Sequence, residues 1–480
     1  MSDSPTFDRR KFIQTTGAAV VGTALPFAGT ASAGDSALDD AFDLAASTLQ
    51  QALVVFETND QVPLLDRLDL VNGYHQFDVL PIGYTELSVD QLQTVAGWDE
   101  VQYVQRNVEL DYYNDDARGV TRADTVQNDM GYTGSRVHSA VIDSGVDGSH
   151  PDLQSSLVEN WRWVGNPLGE PTLWARAGTL DTDDNGHGTH CSGTVAGDGS
   201  ASNGQYRGMA PEADLTVYAA GLTLLVVKPV AAFDHLLSRV QAGETDVKIV
   251  SNSYGSANGD AFNPNDALNV ATWAAFESGL LPVFAASNDG PDTNTMNQYA
   301  KAPNVLGVAA TDDAKAVTDF SSRGRPSDFD GPSNHDRATA LDNLRTYRET
   351  GDASGPLGVY RPGIAAPGNE IVSTMLPTDA LDATNPDTML YYGTISGTSM
   401  ACPAVAGIAT AVTDAYRANN GDDALAPADL LYTLTAEAHE NAHTDYTAYN
   451  AGAGFVDAYD AATRAVNDNL ASASDVTLSS

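Results

Sequence analysis

The sequence contains little cysteine and has no long uninterrupted apolar run. Only Cys191 and Cys402 occur among its 480 residues, which excludes a fold built around a disulfide framework. No segment reaches the roughly 18 consecutive apolar residues of a membrane-spanning helix, so we expect no stable membrane association. A chain of this length predicts a small domain and one larger domain with its own core.

Basic residues are also scarce. Lysine and arginine total 24 against 64 aspartates and glutamates, a formal net charge of −40. Such an acidic surface repels nucleic acid and anionic lipid, so we expect neither as a partner. Repulsion among the acidic groups destabilises the compact state at low salt, and dissolved ions screen it. We interpret this composition as adaptation to high salinity, the alternative being an ordinary acidic secreted protein.

Residues 1–34 have the features of an export signal. Arg9 and Arg10 precede an apolar stretch from Gly17 to Ala28, and residues 31–33 are small, as a cleavage site requires. The apolar part is too short to span a membrane. Paired arginines favour a twin-arginine type of signal, with an ordinary secretory signal as the alternative. The sequence therefore predicts a secreted, extracellular protein.

Residues 35–115 predict a small α+β domain followed by a linker. A capping box from Ser88 to Gln91 begins a helix that ends at Gly97. Residues 111–124 are charged and predict an exposed linker. Three short apolar segments predict strands, at 52–56, 74–80 and 101–104.

Residues 116–465 alternate between short apolar strands and helical stretches. This alternation predicts a parallel sheet covered by helices on both faces. Binding groups in such folds lie at the carboxyl ends of strands, where Asp143, Ser253 and Asn288 fall. Residues 325–360 interrupt the pattern and predict a long surface loop, and residues 466–480 predict a flexible acidic tail.

Three separate motifs supply a carboxylate, an imidazole and a hydroxyl. Asp143 ends a predicted strand, whereas His187 and Ser399 each begin a predicted helix. A serine hydroxyl becomes a nucleophile only beside a base, and that base needs an orienting carboxylate. The α/β-hydrolases have the order Ser, Asp or Glu, His, so that alternative would require His439 or His443 as the base. The order Asp, His, Ser argues against it.

These motifs together resemble those of the subtilisin family, and most of all the halolysin-type proteases of salt-loving archaea. The resemblance extends from the signal to residues 454–458. It implies a three-layer α/β fold with a central seven-stranded parallel sheet, preceded by a ferredoxin-like α+β prodomain. It also implies a serine endopeptidase that acts on proteins and peptides through an acyl-enzyme. The prodomain would inhibit the enzyme and be removed by self-cleavage near residues 111–124. We expect the protein to be a monomer.

The resemblance assigns roles to individual residues. Ser399 attacks the scissile carbonyl, His187 transfers the proton, and Asp143 orients His187. Asn288 would donate to the oxyanion beside the Ser399 backbone N–H, although an asparagine there could simply cap a turn. Ser287 stands where the family commonly has glycine. An inactive binding protein that keeps this fold is the competing interpretation.

The segment Ser253-Tyr254-Gly255 matches the family strand that pairs with an extended substrate. Gly255 would leave room for a substrate side chain, and Ala286 and Ser287 would line the primary specificity pocket. Broad, apolar-leaning specificity follows as a hypothesis. The alternative is that these residues only terminate a buried strand.

A structural calcium ion is a further expectation, with no catalytic cofactor. Asp152 matches a family calcium ligand, and the loop containing Asp198 and Asn203 occupies the place of the loop that supplies the others. We interpret the neighbouring Asp183 and Asp184 as solvated acids rather than a second cation site.

The two cysteines have the same spacing pattern relative to the predicted catalytic residues. Cys191 is four residues after His187, and Cys402 is three after Ser399, which places each pair on one helix face. We therefore predict two buried thiols behind the active site, and a disulfide between them is the alternative.

Overall fold

The structure is a computed structural model. It describes residues 37–38, 42–76, 81–106, 114–166, 168, 172–255, 261–327, 332–352, 355–382, 389–421, 425–442 and 445–479. The predicted export signal lies outside these residues. The chain divides into two compact units, residues 1–111 and 112–480.

The first unit is a four-stranded antiparallel sheet with order β2-β3-β1-β4. Its strands are β1 (Gln50–Phe56), β2 (Tyr74–Gln76), β3 (Ile82–Leu87) and β4 (Val101–Arg106). A 3₁₀ helix (Asn59–Arg67) follows β1, and helix α1 (Val89–Ala96) follows β3.

The predicted capping box begins α1. Gln91 N–H donates to Ser88 Oγ at 3.3 Å, and Ser88 N–H donates to Gln91 Oε1 at 2.9 Å. Alternate residues of β1 are fully buried, as are Leu92 and Val95 of α1, because a strand alternates its faces and a helix presents one stripe. The described residues of this unit form a small α+β fold, in which β3 is a strand that the sequence did not predict. Residues 77–80 of the predicted second strand lie outside the described part.

The second unit is built on a sheet with order β12-β11-β10-β9-β5-β8-β6-β7. The strands are β5 (His138–Asp143), β6 (Leu157–Trp163), β7 (Trp174–Arg176), β8 (Asp214–Ala219), β9 (Ile249–Asn252), β10 (Leu281–Ala285), β11 (Leu306–Thr311) and β12 (Ile364–Pro367). Strands β13 (Ile371–Thr374) and β14 (Tyr392–Ile395) form a separate antiparallel pair.

The sheet has eight strands in the described residues, not the predicted seven. Seven run parallel, and β7 pairs antiparallel with β6 at one edge. Strand β7 is only three residues long, too short to show a period of two in the sequence. Trp163 and Trp174 pack edge-to-face across the pair, with ring centroids 5.3 Å apart.

The helices of this unit cover both faces of the sheet. They are α2 (Asn114–Val120), α3 (Ala123–Thr125), α4 (His187–Ala196), α5 (Val227–Gln241), α6 (Ala267–Glu277), α7 (Arg337–Thr350), α8 (Thr398–Asn420), α9 (Pro427–Ala436), α10 (Ala448–Ala451) and α11 (Ala458–Val466). Among the described residues, none of the helices has both the length and the apolar composition that crossing a bilayer requires.

Strand β10 illustrates why two separate cores form. Val283 and Ala285 point into the core that contains Val405 of α8, whereas Phe284 points into the core that contains Phe233 of α5. Burying one such side chain contributes roughly 1.5–3 kcal/mol. The sequence therefore correctly predicted helices on both faces of the sheet, as in a three-layer α/β fold.

Three predictions about irregular segments are wrong. The predicted linker is helical from residue 114, and Ala117 and Thr121 are buried. The predicted loop 325–360 contains α7, whose Leu341 and Leu344 reach the core. Residues 467–479 are not a free tail, because Ala471 is buried and its N–H donates to Thr433 Oγ1 at 3.0 Å. In each segment a few buried residues order the chain, although its composition is largely polar.

Candidate active site

Asp143 is the last residue of β5 and is only 4% exposed. Its Oδ1 accepts the backbone N–H of Ser144 at 2.7 Å and lies 2.7 Å from Nδ1 of His187. Within the described residues its Oδ2 is buried without a hydrogen-bond partner. This negative charge is therefore held at the sheet edge with the imidazole as its principal compensation.

His187 is the first residue of α4, where close packing brings it to the carboxylate. Gly186 has φ 90°, in the left-handed region that glycine tolerates. A Cβ on Gly188 would lie 2.2 Å from Gly145 O, so only glycine permits this approach to the turn after Asp143. The His187 N–H also donates to Asn185 Oδ1 at 3.1 Å.

The electrostatics of His187 are dominated by two opposing effects. Burial alone would lower the pKa of its ring, but the adjacent Asp143 carboxylate outweighs burial and raises that pKa well above its usual value. Because Nδ1 faces the carboxylate, Nδ1 carries the proton of the neutral ring. Nε2 is then the free proton acceptor.

Ser399 lies in the first turn of the 23-residue helix α8. Its Oγ donates to Ser253 O at 3.2 Å, and its own carbonyl accepts from Ser253 Oγ at 2.8 Å and Cys191 Sγ at 3.4 Å. Cys191 Sγ also lies 3.8 Å from His187 Nδ1. Cys191 Sγ thus contacts both the Ser399 carbonyl and the His187 ring, and within the described residues Ser399 Oγ does not hydrogen-bond to His187.

Asn288 follows β10 and is exposed. Its Oδ1 accepts the N–H of Thr398 at 2.8 Å and the Thr398 hydroxyl at 3.0 Å. Because the oxygen is occupied, the amide nitrogen is the end left to donate. It lies near the α8 N-terminus, 3.2 Å from the position of a Cβ on Gly397.

Ser287 adopts φ 98°, a conformation that disfavours any residue with a Cβ. Three hydrogen bonds hold it there: its N–H donates to Thr398 Oγ1, its hydroxyl to Asp289 Oδ2, and Ser322 N–H donates to its carbonyl. This backbone conformation is a physical reason for glycine at this position, and the serine here carries strain.

The residues predicted to bind substrate follow β9. Strand β9 is central, lying between β5 and β10, so only residues beyond Asn252 can pair with another chain. The Tyr254 hydroxyl donates to Asn252 Oδ1 at 2.7 Å. The backbone carbonyl of Tyr254 accepts from Asn297 Nδ2 at 3.1 Å. Ala286, the first residue after β10, is buried.

The packing of this chain already requires glycine at position 255, and the room predicted there for a substrate side chain stays a prediction. A Cβ at this position would lie 2.0 Å from Asn297 Nδ2, so the chain's own asparagine fills the space beside the glycine. The sequence could not reveal this contact, because the two residues are brought together only by the fold.

Comparison with known proteins adds to this geometry. A profile of the subtilase family matches residues 134–456. The chain belongs to the subtilase family. It is 31% identical over 327 residues to serine protease AprX of Bacillus subtilis (strain 168), covering 65% of each chain. It is 30% identical over 296 residues to a subtilisin of Bacillus sp. (strain TA39), covering 59% of this chain and 58% of the relative.

The chain thus spans somewhat less than two thirds of these two relatives. Among solved structures, Sphericase superimposes with a TM-score of 0.52 at 26% identity, over 73% of this chain and 99% of that one. The S41 psychrophilic protease, at 23% identity and a TM-score of 0.51, shares the fold.

The calcium ligands predicted for this subtilase do not fit a calcium ion. Asp152 is fully buried, and its oxygens accept from Ala201 N–H at 2.8 Å, Ser200 Oγ at 3.3 Å and Tyr392 Oη at 2.6 Å. The carboxylate of Asp198 likewise accepts from Ser200 N–H and Ser155 Oγ. Asn203 is exposed. Calcium needs about 6–8 oxygen ligands, and protein donors occupy the two carboxylates.

Asp183 is a structural part of the site, not the solvated acid that we predicted. It is 1% exposed. Its oxygens accept from Ser144 Oγ, Gly186 N–H and Thr189 N–H at 2.7–3.0 Å. These bonds fix the turn that precedes His187. Asp184 is exposed, as predicted.

Both cysteines are fully buried and unbonded, so the prediction of two buried thiols is confirmed and the disulfide alternative is not. Burial raises the pKa of Cys191, and it raises the pKa of Cys402 to about 12. Both therefore remain neutral thiols at physiological pH.

Sequence reasoning missed Asp379. This residue is 4% exposed, and its Cβ lies 2.7 Å from the position of a Cβ on Gly186. Burial, reinforced by the charges of Asp183, Asp181 and Asp147, raises the pKa of Asp379 to about 7. It lies 192 positions from His187 along the chain and belongs to no motif, so no sequence signal identifies it.

Proposed function

We propose that this subtilase is a secreted serine endopeptidase, halolysin-like in type, whose catalytic residues are Asp143, His187 and Ser399. The observation that carries the proposal is the 2.7 Å contact between Asp143 Oδ1 and His187 Nδ1, beside a serine at a helix N-terminus. Serine protease AprX and the Bacillus subtilisin are its relatives, which supports hydrolysis of peptide bonds.

In the proposed mechanism Ser399 Oγ rotates from the Ser253 carbonyl toward His187 Nε2. The hydroxyl attacks the scissile carbonyl carbon as its proton passes to Nε2. Asp143 stabilises the imidazolium that forms and stays ionised. The imidazolium then protonates the leaving amine, which leaves an acyl-enzyme on Ser399. Water, activated by the same imidazole, releases the acid and restores the serine.

Charge develops on the carbonyl oxygen during the attack. The backbone N–H of Ser399 lies at the positive end of the long α8 dipole, and Asn288 offers its amide N–H from the facing loop. The bond between Thr398 N–H and Asn288 Oδ1 holds this donor in place before the reaction. Such fixed donors stabilise an oxyanion more than mobile water does.

Residues 253–255 and the wall formed by Ala286 and Ser287 are proposed to bind an extended peptide. Main-chain hydrogen bonds to the segment after β9 give little sequence preference. We propose broad, apolar-leaning specificity for protein and peptide substrates and action as a monomer.

Maturation is proposed to remove two segments. Residues 1–34 would direct export through the twin-arginine route. The α+β unit within residues 35–115 would fold first, inhibit the enzyme and be cleaved by it. Helix α2 starts at residue 114 and is packed into the second unit by Ala117, so we place the cleavage before this helix, toward residue 111. Adaptation to high salt is proposed from the net charge of −40.

The proposal is tested by comparing Ser399→Ala with the matched exposed variant Ser474→Ala on casein in molar salt. Ser399→Ala should lose hydrolysis and accumulate as the uncleaved precursor, whereas Ser474→Ala should behave as the parent does. Equal digestion by both variants would refute the assignment and leave an inactive scaffold protein as the better interpretation.

A further inference from the structure

Two buried arginines lie at the end of the sheet opposite the active site. Arg337 begins α7 and is 4% exposed, and Arg361 precedes β12 and is 2% exposed. Arg337 Nη1 donates to Pro303 O at 2.8 Å and Val305 O at 2.6 Å, which places it at the amino end of β11. Asp143 lies at the carboxyl end of β5. Because β5 and β11 run parallel, the two sites lie at opposite ends of the strands of the sheet.

Neither guanidinium has an acidic partner in the part of the chain that the structure describes. Among the described residues, Arg361 donates to the carbonyls of His335 and Pro362 alone, at 3.1 and 2.9 Å. Nε and Nη2 of Arg337 are buried without a hydrogen-bond partner in that same part. A buried charge without an ion-pair partner is costly.

The cost of burying these two charges lowers the pKa of both arginines. Burial lowers the pKa of Arg337 to about 9, an effect to which repulsion from Arg361 adds, and burial lowers the pKa of Arg361 to about 10. Both stay charged at neutral pH, so an anion placed near them would relieve desolvation and repulsion together.

Both arginines line a cavity of about 350 Å³. One water needs only about 10–15 Å³, so the cavity has room for an organic molecule. Its other walls are largely apolar and include Ala338, Val476 and Leu478.

Three other titratable groups face the cavity, Asp336, His335 and Tyr432, and none of them forms an ion pair with either arginine in the described residues. The charge of Asp336 raises the pKa of Arg361 without offsetting the effect of burial, and burial raises the pKa of Tyr432, so its hydroxyl stays neutral. Asp336 caps α7, since its carboxylate accepts from Thr339 N–H at 3.0 Å and Thr339 Oγ1 at 2.6 Å. His335 donates from Nε2 to Arg325 O at 2.6 Å, and burial lowers its pKa, so the ring is neutral at physiological pH.

We propose that this cavity binds a monocarboxylate that carries an apolar group. The uncompensated positive charge of the two guanidinium groups favours an anionic group in the cavity, and the α7 N-terminus contributes the same sign of potential. The C-terminal segment contributes the apolar side chains of Ala473, Val476 and Leu478, which would contact the apolar group of the ligand. The site lies away from Ser399, so its ligand does not compete with substrate.

The test uses the full chain with Ser399→Ala, which prevents self-digestion, at constant chloride and ionic strength. The probe is sodium N-acetyl-leucinate, and N-acetyl-leucinamide is the neutral match. At saturation the acid should raise Tm by about 2 °C or more, while the amide and inorganic phosphate should leave Tm unchanged. Equal shifts with acid and amide, or with acid and phosphate, would overturn the proposal.

A pair of substitutions at the cavity wall locates the site without removing a buried arginine. Ala338→Glu supplies a carboxylate to the arginines and should weaken binding of the acid at least tenfold, whereas Ala338→Gln should bind it within about twofold of the parent. Equal affinity in both variants would contradict the placement. So would competitive inhibition of the active parent enzyme by the acid.

Discussion

The side-chain oxygen of Asn288 accepts the backbone N–H of Thr398 at 2.8 Å, which ties the end of β10 to the start of α8. This bond turns the amide nitrogen of Asn288 away from Thr398 and leaves it free to donate beside Ser399. The candidate oxyanion site is therefore built from two elements that are far apart in sequence.

Replacing Asn288 by alanine should lower kcat by about 10²–10³, the loss that follows removal of such a donor in subtilisin. KM should change little, because the bond forms mainly in the transition state. Steady-state kinetics on a peptide anilide would measure both constants. Asn288→Asp keeps the shape but removes the donor, so it should be equally slow. A normal kcat in either variant would exclude Asn288 from this role.

Ser287 should destabilise the fold through its φ of 98°. Relative to Ser287→Ala, which loses the hydroxyl but keeps a Cβ, Ser287→Gly should be more stable by about 1 kcal/mol. Urea unfolding in the Ser399→Ala background would measure the difference. If glycine proved no more stable than alanine at this position, the backbone would not be strained there.

The carboxyl of Asp379 should make stability depend on pH. Its pKa is raised from 3.8 to about 7, so the folded state binds a proton that the unfolded state releases. Stability from this group is full below about pH 4, declines as pH rises toward 7, and is lost above.

Asp379→Asn should therefore be more stable than the parent at pH 8, and the advantage should shrink as pH falls to 5. Thermal melts of both proteins, each carrying Ser399→Ala, would reveal this difference. Asp184→Asn, at an exposed acid nearby, provides the matched control and should show no such pH-dependent gap. A gap for Asp379→Asn that stayed constant from pH 5 to 8 would contradict the raised pKa.

Salt should stabilise the protein strongly. With a net charge of −40, screening lowers self-repulsion, so Tm should climb steadily as KCl rises toward molar levels. A series with sucrose at matched osmolality would control for solute effects other than screening. A Tm that did not respond to KCl would remove the case for adaptation to high salinity.

The sequence predicted those parts of the site that local patterns determine. Asp143 ends an apolar strand, and His187, between two glycines, and Ser399, two residues after Gly397, lie at helix starts, so their placement follows from short-range signals. Order along the chain and the parallel sheet then bring them to one edge.

Interactions across long sequence separations were not predictable. Tyr392 donates to Asp152 and occupies one of its oxygens, while Asn297 fills the space beside Gly255. These pairs depend on how β14 and the loop after β10 pack, which no local pattern determines. Helix α7 was missed for a related reason, because three buried apolar residues, Ala340, Leu341 and Leu344, stabilise it within a polar segment.

The most direct test of the proposed catalytic trio is labelling with a fluorophosphonate, followed by peptide mapping with mass spectrometry. The parent should be modified at Ser399 alone, and His187→Ala should react at least about a thousandfold more slowly, because a serine without its base is a poor nucleophile. Labelling at another serine, or unchanged labelling of Ser399 in His187→Ala, would contradict the account.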